Sequence, residues 1–211
     1  MKLADKRVLG VSMVSLMLAG VFGTAQADAI PYPSAGTYND TAYSFTAATA
    51  GDVVAYWVGR GSAGYDNQLG LLINRALSSV GYGLDNHTSS VGDSFDLGTV
   101  NSGDSLIFAM HNLSFGDGLD AYAYSDPTLN AAYDGGSIGY NHIYSTLSGA
   151  PAGTYIGFED IPYGSSSDYN YQDESFVFTI VPTRGTVPEP GSLALVGLAL
   201  AGVVLKRRKA V

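Results

Sequence analysis

Short β-prone segments separated by turn-forming clusters constrain the fold of this 211-residue chain more than any other feature. Within the segments, apolar and polar residues tend to alternate with a period of two, as in a strand with one buried face. Clusters of Gly, Asn, Asp and Ser interrupt them about every ten residues, which is typical of antiparallel β-proteins. We therefore predict an all-β fold, either an antiparallel β-sandwich or a jelly roll. The predicted strands cover residues 43–47, 52–58, 69–73, 94–100, 105–110, 119–124, 137–144, 153–158 and 175–181.

Two connections within this pattern carry predictions of their own. The tetrapeptide Asn-Ser-Gly-Asp at residues 101–104 predicts a hairpin turn between two strands. Residues 71–80 favour one helical turn after the third predicted strand.

The N-terminus has the three parts of a secretory signal peptide. Basic residues within positions 1–7 precede an apolar run over residues 8–22, and Ala25 and Ala27 give a small-x-small cleavage pattern. We predict a signal-peptide helix over residues 1–27 that is cleaved after Ala27, with cleavage after Ala29 as the second choice. A retained N-terminal anchor is the alternative.

The C-terminus combines a Pro-Glu-Pro tripeptide, an apolar segment and a basic cluster. Residues 191–205 carry no charge and would span roughly 22 Å as a helix, which tilt and flanking residues could extend across a membrane. Basic residues directly after an apolar span hold that end on the cytoplasmic side. The elements of this tail are Pro188, Glu189, Pro190, Lys206, Arg207, Arg208 and Lys209.

This tail resembles the PEP-CTERM protein-sorting signal. The resemblance implies recognition and removal of the tail by an exosortase, a membrane-embedded cysteine protease. It also implies a bacterial protein exported across the inner membrane, held there transiently by a C-terminal apolar helix, and then present at the cell surface or outside the cell. An ordinary tail anchor is the alternative.

These boundaries leave one exported domain over residues 28–182, a linker over 183–187 and the sorting tail over 188–211. Residues 28–188 contain three arginines, no lysine and 17 acidic residues, which gives a net charge of −14. A surface this acidic repels nucleic acid and suits divalent cations or neutral sugars. The chain has no cysteine, so its stability rests on the core or on a metal.

The stretch over residues 157–178 is the richest in possible ligands. Two acids close one predicted strand, a Gly/Ser turn follows, and an Asp-Tyr-Asn run leads into the next strand. Carboxylate and amide oxygens are the ligands that Ca²⁺ prefers. The candidate calcium ligands are Glu159, Asp160, Asp168, Asn170 and Asp173.

This stretch resembles the C-terminal motif of the DUF4114 family, in which Phe-Glu-Asp precedes a glycine-rich turn and an Asp-Tyr-Asn-Asp run. The resemblance implies calcium binding. Two departures weaken the match: serines 165–167 replace a Gly-Gly-Asp loop, and Asp173 follows only after an inserted Tyr171-Gln172. The alternative is that these acids are solvated turn residues that protect edge strands.

Three classes of function remain. The sequence favours a non-catalytic surface or matrix protein among exopolysaccharide or in a biofilm, as the tail resemblance implies. The second class is a carbohydrate-binding module, because many of the 15 tyrosines lie in Gly/Ser-rich loops and phenol rings stack on sugars. The third is an enzyme, which a buried pair of acids with shifted pKa values in a cleft would favour.

Overall fold

The computed structural model describes residues 29–61, 63–164 and 166–182. These residues form antiparallel strands, and their helical parts are three short 3-10 helices, Leu113–Phe115, Leu119–Ala121 and Pro127–Leu129. The prediction of an all-β fold is confirmed over these residues, whereas the predicted N-terminal and C-terminal helices lie outside them. Within the described ranges, no helix has the length and apolar character needed to span a membrane.

The strands form two five-stranded antiparallel sheets. In chain order they are β1 Phe45–Thr46, β2 Gly51–Gly59, β3 Asn67–Ile73, β4 Ala76–Leu77, β5 Ser94–Val100, β6 Ser105–Asn112, β7 Tyr122–Tyr124, β8 Ile143–Gly149, β9 Ala152–Phe158 and β10 Glu174–Val181. The first sheet has the order β1-β6-β3-β4, with β7 also paired to β6, and the second has the order β5-β2-β10-β9-β8. The finer prediction of a sandwich or jelly roll stays a prediction.

Aromatic side chains from both sheets meet in the main core. The ring centroid of Phe108 in β6 lies 5.4 Å from that of Phe176 and 4.5 Å from that of Phe178, both in β10. Strand β2 shows the alternation that the sequence predicts, because Val53, Ala55 and Trp57 are buried while their neighbours in the first part of the strand are half-buried. Burial of these apolar side chains supplies the main favourable free energy of folding.

The structure corrects several predictions about individual segments. The turn at residues 101–104 does not close a hairpin, because it joins β5 of the second sheet to β6 of the first. The strand predicted over residues 119–124 begins only at Tyr122, after a 3-10 helix. Instead of a helical turn over residues 71–80, β3 continues to Ile73 and β4 pairs back onto it, with Leu72 opposite Leu77. Asn74 and Arg75 both have positive φ, 50° and 68°, as in the tight hairpin turns that match the twist of paired strands. The strand predicted over residues 137–144 begins only at Ile143 and runs on to Gly149.

The pairing of β9 with β10 positions the acidic residues. Glu174 lies opposite Phe158, and the backbone N–H of Asp173 donates to the carbonyl of Phe158. The chain leaves β9 at Glu159 and enters β10 at Glu174, so both ends of the intervening loop lie side by side. Both strands lie inside the sheet rather than at its edge, so this loop starts and ends on a rigid support.

Candidate metal centre

Three carboxylates converge where β9 ends and β10 begins. One carboxylate oxygen from each of Glu159, Asp160 and Asp173 lies within 4.8 Å of the others. All three residues are buried, with 2%, 2% and 6% of their surface exposed, respectively. Three acids this close and this buried are costly in their charged form unless a cation or donors balance them.

Hydrogen bonds orient the side chains of the two aspartates, whereas among the described residues none at normal geometry reaches the carboxylate of Glu159. The backbone N–H of Asp160 donates to Oδ2 of Asp173 at 2.9 Å, and Nδ2 of Asn67 donates to Oδ2 of Asp160 at 2.7 Å. Both carboxylate oxygens of Glu159 are buried without a hydrogen-bond partner among the described residues. A buried polar group without a partner loses the hydrogen bonds it made to water and forms none in the protein. Such a carboxylate is therefore a candidate metal ligand.

The electrostatics of the cluster favour proton uptake or cation binding. Burial, with smaller contributions from neighbouring carboxylates, raises the pKa of Glu159 to about 7, although Ser167 and the backbone at Tyr171 lie near enough to offset part of the rise. Burial and the nearby charges of Asp160 and Glu159 raise the pKa of Asp173 to about 9. Burial also raises the pKa of Asp160. A bound divalent cation would reverse this preference because it stabilises the ionised forms.

The cluster faces a cavity of about 400 Å³. Its lining consists of Gly64, Tyr65, Glu159, Asp160, Ile161, Asp168 and Asp173. Asp168 therefore reaches the same cavity from the loop, although its own side chain is exposed to solvent. The cavity is large enough to hold a cation together with water ligands.

Asn170, the remaining candidate ligand, forms hydrogen bonds within the loop between β9 and β10. Oδ1 of Asn170 accepts a hydrogen bond from the backbone N–H of Gln172 at 2.8 Å, and its Nδ2 donates to Asp168. Asn170 thus shapes the turn and orients Asp168. Tyr169 and Tyr171 have φ of 47° and 55°, a conformation that non-glycine residues seldom adopt. The buried Tyr171 hydroxyl accepts the backbone N–H of Asn39, which anchors this turn.

Sequence reasoning missed two residues beside the cluster. Asn67 opens β3, 93 positions before Asp160, and its Oδ1 is buried without a partner among the described residues. Glu174 is completely buried, both of its carboxylate oxygens lack a partner there, and burial raises its pKa well above the usual value. The position of Glu174 directly after Asp173 could have identified it as a neighbour of the cluster, whereas no local sequence pattern identifies Asn67.

The residues present fit a hard divalent cation. The converging donors are carboxylate and amide oxygens, and neither histidine nor cysteine contributes to the cluster. Ca²⁺ takes six to eight such oxygens at about 2.3–2.6 Å, so three or four carboxylates would leave positions for backbone carbonyls and water. Zinc and copper sites prefer nitrogen or sulfur donors.

The fold and the cluster together define an antiparallel β-protein with a candidate cation site. Residues 186–209 match the PEP-CTERM protein-sorting motif, beyond the described part of the chain. The motif implies an extracellular protein that an exosortase processes at the membrane and that is then found at the cell surface. No curated protein and no solved structure matches the chain.

Proposed function

We propose that this protein is a non-catalytic component of the bacterial surface or extracellular matrix whose exported domain is stabilised by calcium. Its surroundings would be exopolysaccharide or biofilm. The observation that carries the calcium part is the buried, unpartnered carboxylate of Glu159 beside Asp160 and Asp173. The sorting motif supports the location, because it implies that the domain works outside the membrane.

The resemblance to the DUF4114 motif is consistent with this site. Glu159 and Asp160, which match the acids of Phe-Glu-Asp in that motif, converge with Asp173, the displaced closing acid. Asp168, which matches the Asp-Tyr-Asn run, lines the same cavity. The inserted Tyr171-Gln172 is accommodated by the positive φ of Tyr171, which lets Asp173 return to the end of β9. Such a loop would complete its coordination only outside the cell, where calcium is abundant.

Buried acids with raised pKa values also occur in glycosidases, but this geometry favours an ion. A glycosidase holds two carboxyl groups on either side of the scissile glycosidic bond, about 5–5.5 Å apart in a retaining enzyme and about 6.5–9.5 Å apart in an inverting one. Here the carboxylate oxygens lie within 4.8 Å, and the backbone N–H of Asp160 bonds directly to Asp173. The two aspartates are therefore in direct contact with each other rather than held apart across a scissile bond.

A tyrosine cluster supports a carbohydrate-binding module as the second candidate. The rings of Tyr140 and Tyr163 stack with centroids 3.6 Å apart, and Tyr38 packs edge-on against both. The backbone N–H groups of Tyr140 and Tyr163 donate to the carboxylate of Asp134, which lies 2.9 Å from the ring nitrogen of the buried His142. Tyr163, with 37% of its surface exposed, offers an aromatic edge beside the acidic loop.

If the second candidate is right, the protein should retain one sugar type on a glycan array and Tyr163→Ala should abolish that signal, because the exposed ring would supply the stacking contact. Tyr56→Ala, which removes a half-buried tyrosine on β2 instead, is the matched control. An array without a retained sugar would contradict this candidate and leave the matrix role unaffected.

Calcium should raise the melting temperature of the exported protein relative to a chelator. At about 100 times its dissociation constant, a ligand adds about 2.7 kcal/mol to the free energy of unfolding, which shifts the melting temperature by roughly 5 to 10 °C in a domain of this size. Differential scanning calorimetry in millimolar CaCl₂ and in EDTA measures the shift. Asp173→Asn keeps the side-chain volume and the acceptor for Asp160, yet it should remove most of the calcium effect.

Asp117→Asn is the matched control, because the Asp117 side chain is 95% exposed and lies outside the cluster. Its calcium shift should equal that of the native protein. Equal melting temperatures in CaCl₂ and EDTA would show that the carboxylates are held by protons alone, and the calcium proposal would then be wrong.

A further inference from the structure

Strand β8 forms one outer edge of the second sheet, and within the described part of the chain it lacks the charges, prolines and bulges that usually protect an edge. Its seven residues pair with β9 in an unbroken register from Ile143–Phe158 to Gly149–Ala152. The strand contains no charged residue and no proline. Natural proteins usually block such edges with charges, proline or bulges, since the free N–H and C=O groups otherwise pair with another strand.

The other edges of the described sheets are short or interrupted. In the first sheet β1 and β4 have two residues each, and β7 has three. At the opposite edge of the second sheet, β5 carries Asp96, and Gly98 has φ of 116°. The register between β5 and β2 is also irregular. The regular, neutral β8 is therefore the exception.

The hydrogen bonds show which backbone groups of β8 point away from the sheet. The carbonyl of His142 accepts from Glu159, so His142 faces the β9 side and Ile143 faces outward. Alternation along the strand then turns the backbone groups of Ser145 and Leu147 outward as well.

The first outward position is already satisfied by side chains. Oδ1 of Asn141 accepts from the N–H of Ile143, and Nδ2 of Asn39 donates to its carbonyl at 2.9 Å. Within the described ranges, the outward backbone groups of Ser145 and Leu147 have no such partner. The Leu147 side chain is also 83% exposed. The open part of the edge is therefore the segment around Thr146.

We propose that β8 pairs antiparallel with β8 of a second copy of this chain, with Thr146 on the two-fold axis. In this register Ser145 lies opposite Leu147 of the second copy, so the four free N–H and C=O groups of each edge satisfy one another. The edge is self-complementary and neutral, although the exported region carries a net charge of −14. The paired strands themselves therefore bring no like charges together.

The contact is small, so its occupancy depends on the local concentration of the protein. Tethering or crowding at a cell surface raises that concentration and favours a contact that is weak in dilute solution. Pairing at the β8 edge requires neither the calcium site nor a bound sugar. Its failure would therefore leave the proposed function intact.

Thr146→Cys tests the register directly, because the natural chain has no cysteine. Directly opposite residues in a non-hydrogen-bonded antiparallel pair have Cα atoms about 4.5 Å apart, within the range of a disulfide. Mild oxidation of the protein recovered from the cell surface should therefore give a disulfide-linked dimer on a non-reducing gel. Ser148→Cys is the matched control on the same strand, since its two copies would lie about 14 Å apart and should stay monomeric.

Leu147→Pro in the Thr146→Cys background tests the backbone contact. Proline removes an N–H that points away from β9, so the melting temperature should change little while the cross-linked dimer is lost. Three results would overturn the proposal: no dimer from Thr146→Cys, equal dimer from Ser148→Cys, or a dimer that survives Leu147→Pro in a protein that still melts cooperatively.

Discussion

Raising the pH from 5 to 9 in a chelator should destabilise the exported domain, and calcium should reverse this dependence. The pKa of Glu159 rises to about 7 and that of Asp173 to about 9 on folding, from usual values of 4.5 and 3.8. Between these limits the folded state holds protons that the unfolded state has released. Stability is therefore fully present at pH values below the unfolded pKa values and falls as the pH rises through the folded ones.

The expected loss in the free energy of unfolding is large for a single site. Each unit of pKa difference corresponds to about 1.4 kcal/mol, so Glu159 alone contributes about 3 kcal/mol, and Asp173 adds to it. With calcium bound, the carboxylates are already ionised, and proton competition weakens as the pH rises. The calcium-induced shift in melting temperature should consequently be small at pH 5 and largest near pH 9.

Urea unfolding at pH 5, 7 and 9, in EDTA and in CaCl₂, measures both dependences. Glu159→Gln should reduce the slope in EDTA and leave the part that comes from Asp173, because the neutral amide cannot titrate, whereas Asp117→Asn should leave the slope unchanged. Asp134 stays ionised between pH 5 and 9 and so does not contribute to this slope. Burial opposes its ionisation, but the contact with His142 and the N–H groups of Tyr163 and Tyr140 outweigh that effect and lower its pKa below this window. Stability in EDTA that is constant or rises with pH would contradict the prediction.

The parts of the fold that could be predicted are those that depend on local patterns. Alternation over residues 52–58 indicates β2, and the apolar runs before and after the loop indicate β9 and β10 within a residue of their observed bounds. The convergence of Glu159, Asp160 and Asp173 also follows from a local argument, because acids at adjacent strand ends meet when the two strands pair.

The parts that could not be predicted depend on distant contacts or on unusual backbone angles. The turn at Asn74 and Arg75 needs positive φ without glycine, so propensity favours a helical turn there instead. Asn67 reaches Asp160 across 93 positions, and Asn39 reaches Ile143 across 104. Such pairs are fixed by sheet order, which no local pattern specifies.

Phe108→Ala should be the most destabilising single substitution in the core. The side chain is fully buried, and its ring centroid lies 5.5, 5.4 and 4.5 Å from those of Phe45, Phe176 and Phe178. Truncation removes the apolar contacts and leaves a cavity between strands of both sheets, at a cost of about 3–5 kcal/mol. Thermal unfolding followed by circular dichroism should show a melting temperature lower by roughly 6 to 20 °C.

Leu119→Ala is the matched control, because Leu119 is 79% exposed and should change the free energy of unfolding by less than about 0.5 kcal/mol. A melting temperature of Phe108→Ala within a degree of the native value would show that the sheets do not depend on this shared aromatic core. The Phe108→Ala variant also separates the stability that comes from the aromatic core from the stability that calcium adds. Since Phe108 lies in the core and not among the cavity-lining residues, the calcium-induced shift should persist in Phe108→Ala, and its loss would mean that the core sets the geometry of the carboxylate cluster.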